Sequence, residues 1–386
     1  MNEKEIKERV DALLGASDPK NRLEFLRARF DAGLAWVWFP EGLGGLGVSR
    51  DLQQVVEREL ADTPQLNTGV QGIGLGMAAP TVLAFGTEEQ RRRFLRPLWT
   101  GEEIWCQLFS EPGAGSDLAT LATRAVRDGD EWVVDGQKVW TSGAHHARWA
   151  ILVTRTDPDV PKHRGMTYFI CDMHAPGVEV RPLRQITGEA EFNEVFLTGV
   201  RLSDDLRLGE VGDGWRVAQT TLMNERVAIG GAPVRRGGGM IGPVLDTWRE
   251  HPELRTHDLH QRLLSLWVEA EVTRLSGVRL REQLVAGHPG PEGSGMKLSF
   301  AKLNQELSGL DIELRRELGY DDWTFRRSED LDFYGRGAGY RYLRAKGNSI
   351  EGGTSEILRN IISERVLGLP SEPRVDKDVP WKDLPR

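Results

Sequence analysis

Apolar residues recur at helical spacing through the first hundred positions, over residues 3–14, 21–32 and 51–60, the last run following a Pro- and Gly-rich break. Such spacing buries one stripe of a helix and leaves charged residues on the other face. Thr87-Glu88-Glu89-Gln90 has the form of a helix start capped by a hydroxyl. Near Trp105 the period changes to two. Short alternating runs at 131–134, 137–140, 149–154, 167–171, 178–182 and 192–200 are separated by Gly, Pro, Asp and Asn, which predicts strands. Asp128-Gly129 and Asp135-Gly136 are hairpin dipeptides, so a β-meander turning at both is expected. After Gly212-Asp213-Gly214 the helical period returns and persists to about Leu367, broken chiefly at the Gly- and Pro-rich run 287–295. Long helices with a short break predict an antiparallel bundle. The last residues are proline-rich and charged, and are expected either to wrap a surface or to be disordered. The fold class is therefore α+β and multidomain: an N-terminal α-helical domain over 1–103, a central antiparallel β domain over 104–212, a C-terminal helical bundle over 213–370 and a tail over 371–386.

The length of 386 residues exceeds what one core usually serves, in keeping with several domains. A net charge of -8 gives no electrostatic footprint for nucleic acid, and Arg91-Arg92-Arg93 reads as a solvated helix face. No run approaches the roughly 20 apolar residues of a membrane span. The charged start leads into no apolar signal region, so a cytoplasmic location is expected. Cys106 and Cys171 are too few for a disulfide framework or a four-cysteine metal site; their apolar neighbours predict buried thiols, and no metal is expected.

The candidate chemistry lies in two segments of the β region. Ser110-Glu111-Pro112-Gly113-Ala114-Gly115-Ser116-Asp117 combines glycines that let a ligand approach the backbone with hydroxyls that bond it, and Trp140-Thr141-Ser142-Gly143 adds an aromatic face. A large, flat, hydrogen-bonding ligand suits that pair. A competing motif is weak. Gly42, Gly44 and Gly47 match the dinucleotide-binding spacing, but the helix after them runs into Asp62-Thr63-Pro64 rather than a second strand ending in an acidic residue.

Phe109 to Asp117, followed by a helical region closing with Gly352-Gly353-Thr354-Ser355-Glu356-Ile357, resembles the acyl-CoA dehydrogenase family of flavoproteins. The likeness runs from Phe85-Gly86-Thr87 to Arg365-Val366-Leu367-Gly368-Leu369-Pro370. It implies a C-terminal four-helix bundle and FAD as cofactor. Gln107, Phe109, Ser110, Gly115, Ser116, Trp140, Thr141 and Ser142 would lie along the flavin ring, and Thr354 and Glu356 would lie near its ribityl and diphosphate. Ser116, Arg226, Gly352 and Gly353 would line the CoA or acyl path. Relatives also carry an Arg-x-x-Phe-Gly pattern that crosses to a neighbouring subunit's FAD. Arg281-Glu282-Gln283 occupies the corresponding region here, without that pattern, and the second Gly pair appears as Gly319-Tyr320.

The family reaction needs a carboxylate to remove the α-proton of a thioester. In one branch that base directly precedes the Gly-Thr of the C-terminal motif, where this chain has Gly352; Glu351 is one residue early. A second branch, resembling isovaleryl and long-chain acyl-CoA dehydrogenases, supplies it as Glu followed by Arg on the first bundle helix. Met223-Asn224-Glu225-Arg226-Val227 matches that position, so Glu225 is the expected base. The backbone N–H of Gly352 would still bond the thioester oxygen. The resemblance implies an acyl-CoA substrate, an electron-transfer flavoprotein as acceptor, and a homo-oligomer (dimer or tetramer). Its alternatives are one subunit of a heterotetrameric, steroid-type acyl-CoA dehydrogenase and a same-fold oxidase using oxygen.

Overall fold

The computed structural model describes residues 1–66, 68–230, 235–285, 290–319, 337–374 and 376–384; the side chains of 68, 225–230 and 284–285 are outside the described set. Tyr320 also falls outside it. Contacts divide the chain into two compact units, one of residues 1–183, 191–224 and 374–386, the other of 184–190 and 225–373.

Helices fill the start of the first unit as the periodicity predicts: α1 (Glu3–Ala16), α2 (Arg22–Asp31), α3 (Gln53–Glu59), α4 (Thr68–Ile73), α5 (Ala79–Phe85) and α6 (Glu88–Thr100). The Thr87 side chain accepts the Gln90 N–H at 3.2 Å and the Gln90 side chain accepts the Thr87 N–H at 2.8 Å, so two orphan donors at the start of α6 are satisfied reciprocally. Gly42, Gly44 and Gly47 belong to a compact loop, in which the N–H groups of Ala35 and Trp36 both bond Gly44 O. Residues 34–39 form no strand, which removes the dinucleotide reading.

Eight strands follow: β1 (Trp105–Leu108), β2 (Arg124–Asp128), β3 (Glu131–Ser142), β4 (Trp149–Arg155), β5 (Met166–Asp172), β6 (Val178–Leu183), β7 (Phe192–Ser203) and β8 (Arg207–Leu208). They form one sheet in the order β6-β7-β3-β2-β4-β5-β8, with β1 beside β4. Two pairings correct the expectation of an antiparallel sheet: β1 runs parallel to β4, and β2 meets β4 in parallel at Arg124 and Arg155. β1 arrives from α6 rather than through a hairpin, so no tight turn imposes the antiparallel sense. The sheet is mostly antiparallel.

Asp135-Gly136 requires a second correction. β3 continues through it, and a register shift against β7 between Val134 and Gly136 marks a bulge. Asp135 Oδ1 accepts the Gly199 N–H from the facing strand at 2.8 Å, and a Cβ on Gly136 would lie 2.3 Å from Thr123 Oγ1. Asp128-Gly129 does turn, between β2 and β3.

Phe94 of α6 meets Trp105 and Trp149 edge-on at 5.5 and 5.1 Å, joining the helical layer to the sheet. Cys106 and Cys171 are fully buried, and burial raises both thiols, that of Cys171 to about 12. The tail follows the wrapping alternative. Its Trp381 N–H bonds Val160 O at 2.9 Å, the indole donates to Thr120 O at 3.1 Å, and Lys162 joins Asp117 to Asp376.

α7 (Gly214–Gly230) leaves the first unit. In the second unit α8 (Gly242–Glu250), α9 (His257–Val285), α10 (Gly293–Glu317), α11 (Ala338–Ala345) and α12 (Ser355–Ile361) form the bundle. Its core includes Val244, Leu263, Leu266, Leu303, Leu307, Leu310 and Leu314. Among the described residues no helix is long and apolar enough to cross a membrane, and no group of three His, Cys, Asp or Glu could hold a metal ion.

Candidate functional site

The two segments singled out in the β region are stitched together by their backbones: Val139 N–H donates to Ser110 O at 2.8 Å. Glu111 and Ala114 exchange both backbone bonds, at 2.9 and 3.0 Å, which closes the loop into a tight turn. Beneath it Lys138 is wholly buried. Its ammonium donates to Phe109 O at 3.0 Å, Val153 O at 2.8 Å and Glu111 Oε1 at 2.8 Å. Glu111 in turn accepts the N–H groups of Ala122 and Thr123 at 2.6 and 2.9 Å. Burial pushes the Glu111 carboxyl up, but the Lys138 charge and the hydrogen bonds around it outweigh that, and the carboxyl ends below its ordinary range. Burial lowers Lys138 against the opposing pull of Glu111. Motif reading missed this pair. The signal that could have found it is phase, because Lys138 continues the inward positions of Trp132 and Val134 along β3.

Above that anchor the segments present polar groups. Gln107, Ser110 and Ser142 are half-buried, and Gly115 and Ser116 are exposed. None of the side chains of Gln107, Ser110, Ser116 and Ser142 has a hydrogen-bond partner among the described residues. Thr141 Oγ1 is buried without a partner, although its carbonyl accepts Asn193 Nδ2 at 3.1 Å. Phe109 is buried and meets Tyr168 edge-on at 5.8 Å. Trp140 is 59% exposed and has φ +59, the one positive φ on a non-glycine among the described residues. A left-handed backbone there costs about 1–2 kcal/mol. The register shift between Lys138 and Thr141 and an edge contact with Phe192 at 5.9 Å hold it. Unmade hydrogen bonds, an exposed ring and glycines whose Cβ positions meet nothing within 4 Å, at 113 and 115, form a donor set that fits a flat, polar cofactor such as FAD.

The helix expected to carry the base is fixed in rotation by a hydroxyl cluster. Thr221 Oγ1 on α7 lies 2.9 Å from Thr81 Oγ1 of α5 and 2.9 Å from the Tyr168 hydroxyl of β5, all fully buried. Burial pushes the Tyr168 phenol up, opposed by its bond to Thr221, so it remains a neutral hydroxyl. The side chains of Glu225 and Arg226 are outside the described residues.

The second unit holds the remaining motif. Gly352 and Gly353 have φ +61 and +94, a conformation that L side chains rarely adopt. Thr354 caps α12, its Oγ1 accepting the Ile357 N–H at 3.2 Å, and Glu356 is exposed, 3.6 Å from Arg359. Glu351 is engaged by both guanidinium nitrogens of Arg344, at 3.1 and 2.9 Å, and by Asn348 Nδ2 at 2.6 Å. That commitment matches its poor alignment with the base position. Arg281-Glu282-Gln283 lies in the closing turns of α9.

Three family models match the chain, described as the N-terminal, middle and C-terminal domains of acyl-CoA dehydrogenase, over residues 2–102, 106–200 and 212–367. The chain is 41% identical over 346 residues to "Acyl-CoA dehydrogenase FadE34" of Mycobacterium tuberculosis, which covers 88% of this chain and 45% of that protein. It thus spans less than half the length of that relative. It is 39% identical over 353 residues to "Acyl-CoA dehydrogenase IpdE1" of the same organism, covering 88% of this chain and 86% of the relative. Among solved structures, "Tcur3481-Tcur3483 steroid ACAD" superposes with a TM-score of 0.75 at 26% identity, over 96% of this chain and 98% of that one. "Crystal structure of the ChsE4-ChsE5 complex from Mycobacterium tuberculosis" does so with a TM-score of 0.70 at 28% identity, over 95% and 93%.

Proposed function

Because the chain belongs to the acyl-CoA dehydrogenase family, we propose that it oxidises an acyl-CoA thioester to the 2-enoyl-CoA, using FAD. The observation that carries this reading is the row of polar groups without protein partners at Gln107, Ser110, Thr141 and Ser142, beside the exposed Trp140. Bound there, FAD would supply a hydride acceptor at N5. By the family resemblance, Ser110 and Ser142 would hydrogen-bond the ring edge, Gln107, Phe109, Gly115 and Thr141 would complete its bed and Trp140 would cover it, while Thr354 and Glu356 would serve the ribityl and diphosphate end. Glu225 removes the α-proton of the thioester, and the Gly352 N–H stabilises the charge that develops on the carbonyl oxygen. Ser116, Arg226 and Gly353 line the path of the CoA and acyl groups. Reducing equivalents leave to an electron-transfer flavoprotein. The test is anaerobic titration of the purified yellow protein with acyl-CoAs of graded length and ring content. Bleaching by one of them supports the reading, and a flavin that none reduces refutes it.

A second reading concerns assembly. Two of the similar solved structures are named as two-component proteins, which favours a chain that works as one subunit of a heteromer over a homo-oligomer. Protein that is colourless when purified alone, and turns yellow when co-expressed with a related subunit, would select the heteromer.

A further inference from the structure

We propose that Lys297 is a positioning residue that holds the Gly352-Gly353 turn in the conformation the reaction needs; this rests on the dehydrogenase reading above. Lys297 lies one turn into α10 and is 2% exposed. Its ammonium donates to Asn348 O at 2.6 Å and to Gly353 O at 2.8 Å, so one cation ties together both ends of the segment that contains Gly352. α10 grips the preceding residues as well. Asn304 Nδ2 donates to Asn348 Oδ1 at 2.6 Å, and Gln305 Nε2 donates to Ala345 O at 3.1 Å and Ser349 Oγ at 3.2 Å.

The two glycines have no side chains of their own to anchor. Their consecutive positive φ values are open to glycine but not enforced by it, and many other conformations are equally accessible to an unrestrained Gly-Gly pair. The backbone direction at Gly352 therefore depends on bonds made by its neighbours. Glu351, tied to Arg344 and Asn348, fixes one side, and Lys297 fixes the other through Gly353 O. A buried ammonium is retained where its donors are used, and two of them are used here on backbone carbonyls. Loss of the cation removes both of those bonds and lets the turn move.

Lys297→Met and Lys297→Arg, purified with FAD, provide the test. Amide hydrogen exchange across residues 350–354 is expected to speed up in Lys297→Met. Flavin reduction at saturating acyl-CoA is expected to slow by about 10- to 100-fold, the scale of a small misplacement of a reacting group. The Kd for that acyl-CoA is expected to stay within about threefold, because the lost contact acts on the transition state. The carbonyl stretch of the bound thioester, polarised to lower frequency in the wild type, is expected to move back towards its free position. If Lys297→Met does not fold, Lys297→Arg is read the same way, since it keeps the charge but displaces the donors. Unchanged exchange with an unchanged reduction rate overturns the positioning role while leaving the dehydrogenase reading intact. A wild type that no acyl-CoA bleaches overturns both.

Discussion

Two loops in this protein are each held from below by a buried lysine, and they differ in what that lysine binds. Lys138 joins the flavin-motif loop to β3 and β4 through two backbone carbonyls and the Glu111 carboxylate. Lys297 joins the Gly352-Gly353 turn to α10, and its described bonds go to two carbonyls within an amide network. The first arrangement is a charged strut under a loop that side chains also shape. The second restrains a turn that has no side chains. The contrast teaches that one residue type can serve rigidity in one place and orientation in another, so the two should respond differently to mutation and to pH.

Stability separates them most. Lys138→Met strands the Glu111 carboxylate in the interior and is expected to lower the unfolding free energy by about 3–5 kcal/mol. Lys297→Met, which removes the bonds to the Asn348 and Gly353 carbonyls, is expected to lower it by about 1–3 kcal/mol through those two bonds. Urea unfolding of both variants measures this, and equal losses would erase the distinction. Acid sharpens it. The Glu111 carboxyl lies below its ordinary value of 4.5 in the folded state, so its contribution is fully present above that value and is lost as pH falls through the depressed one. The difference in unfolding free energy between the wild type and the Glu111→Gln/Lys138→Met double variant should be flat from pH 7 to pH 5 and shift against the wild type below about 4.5. A difference that does not move by pH 2 would contradict the assignment.

A smaller effect is expected at Trp140. Trp140→Gly relieves the left-handed strain but loses the Phe192 contact and adds chain entropy, so stability should change by no more than about 1 kcal/mol. FAD should nevertheless be retained less tightly, read by flavin fluorescence on dilution. Unaltered retention would remove Trp140 from the cofactor bed. The smallest effect belongs to Glu351. Glu351→Gln keeps an amide oxygen that can still accept from Arg344 and Asn348, so flavin reduction should slow less than in Lys297→Met, by no more than about tenfold.

Much of the fold is legible in the residues. The switch from period 3.6 to period 2 near Trp105 and the cap at Thr87 are local signals, and each appears where its chemistry places it, whereas Gly293 to Gly295 of the expected break are already helical in α10. Asp135-Gly136 was misleading because the dipeptide suits a turn, and only the continued pairing with β7, which carries the extra residue opposite it, shows that β3 runs on. The parallel placement of β1 is likewise a long-range fact. In the candidate site, motif spacing finds the polar residues proposed to meet a ligand but not the buried cations of Lys138 and Lys297. Lys138 and Lys297 look like ordinary polar positions until their phase is compared with Trp132 and Val134 on β3, and with Ala301 and Asn304 on α10. The proposal of Glu225 as the base rests on alignment with the family alone.

The most direct test of the proposed chemistry is stopped-flow reduction of the bound flavin by an acyl-CoA that bleaches the wild type, repeated with Glu225→Gln. Loss of the general base should slow reduction by about 10²- to 10⁴-fold while FAD and acyl-CoA remain bound. Reduction of Glu225→Gln at the wild-type rate would contradict the account and place the base on another residue.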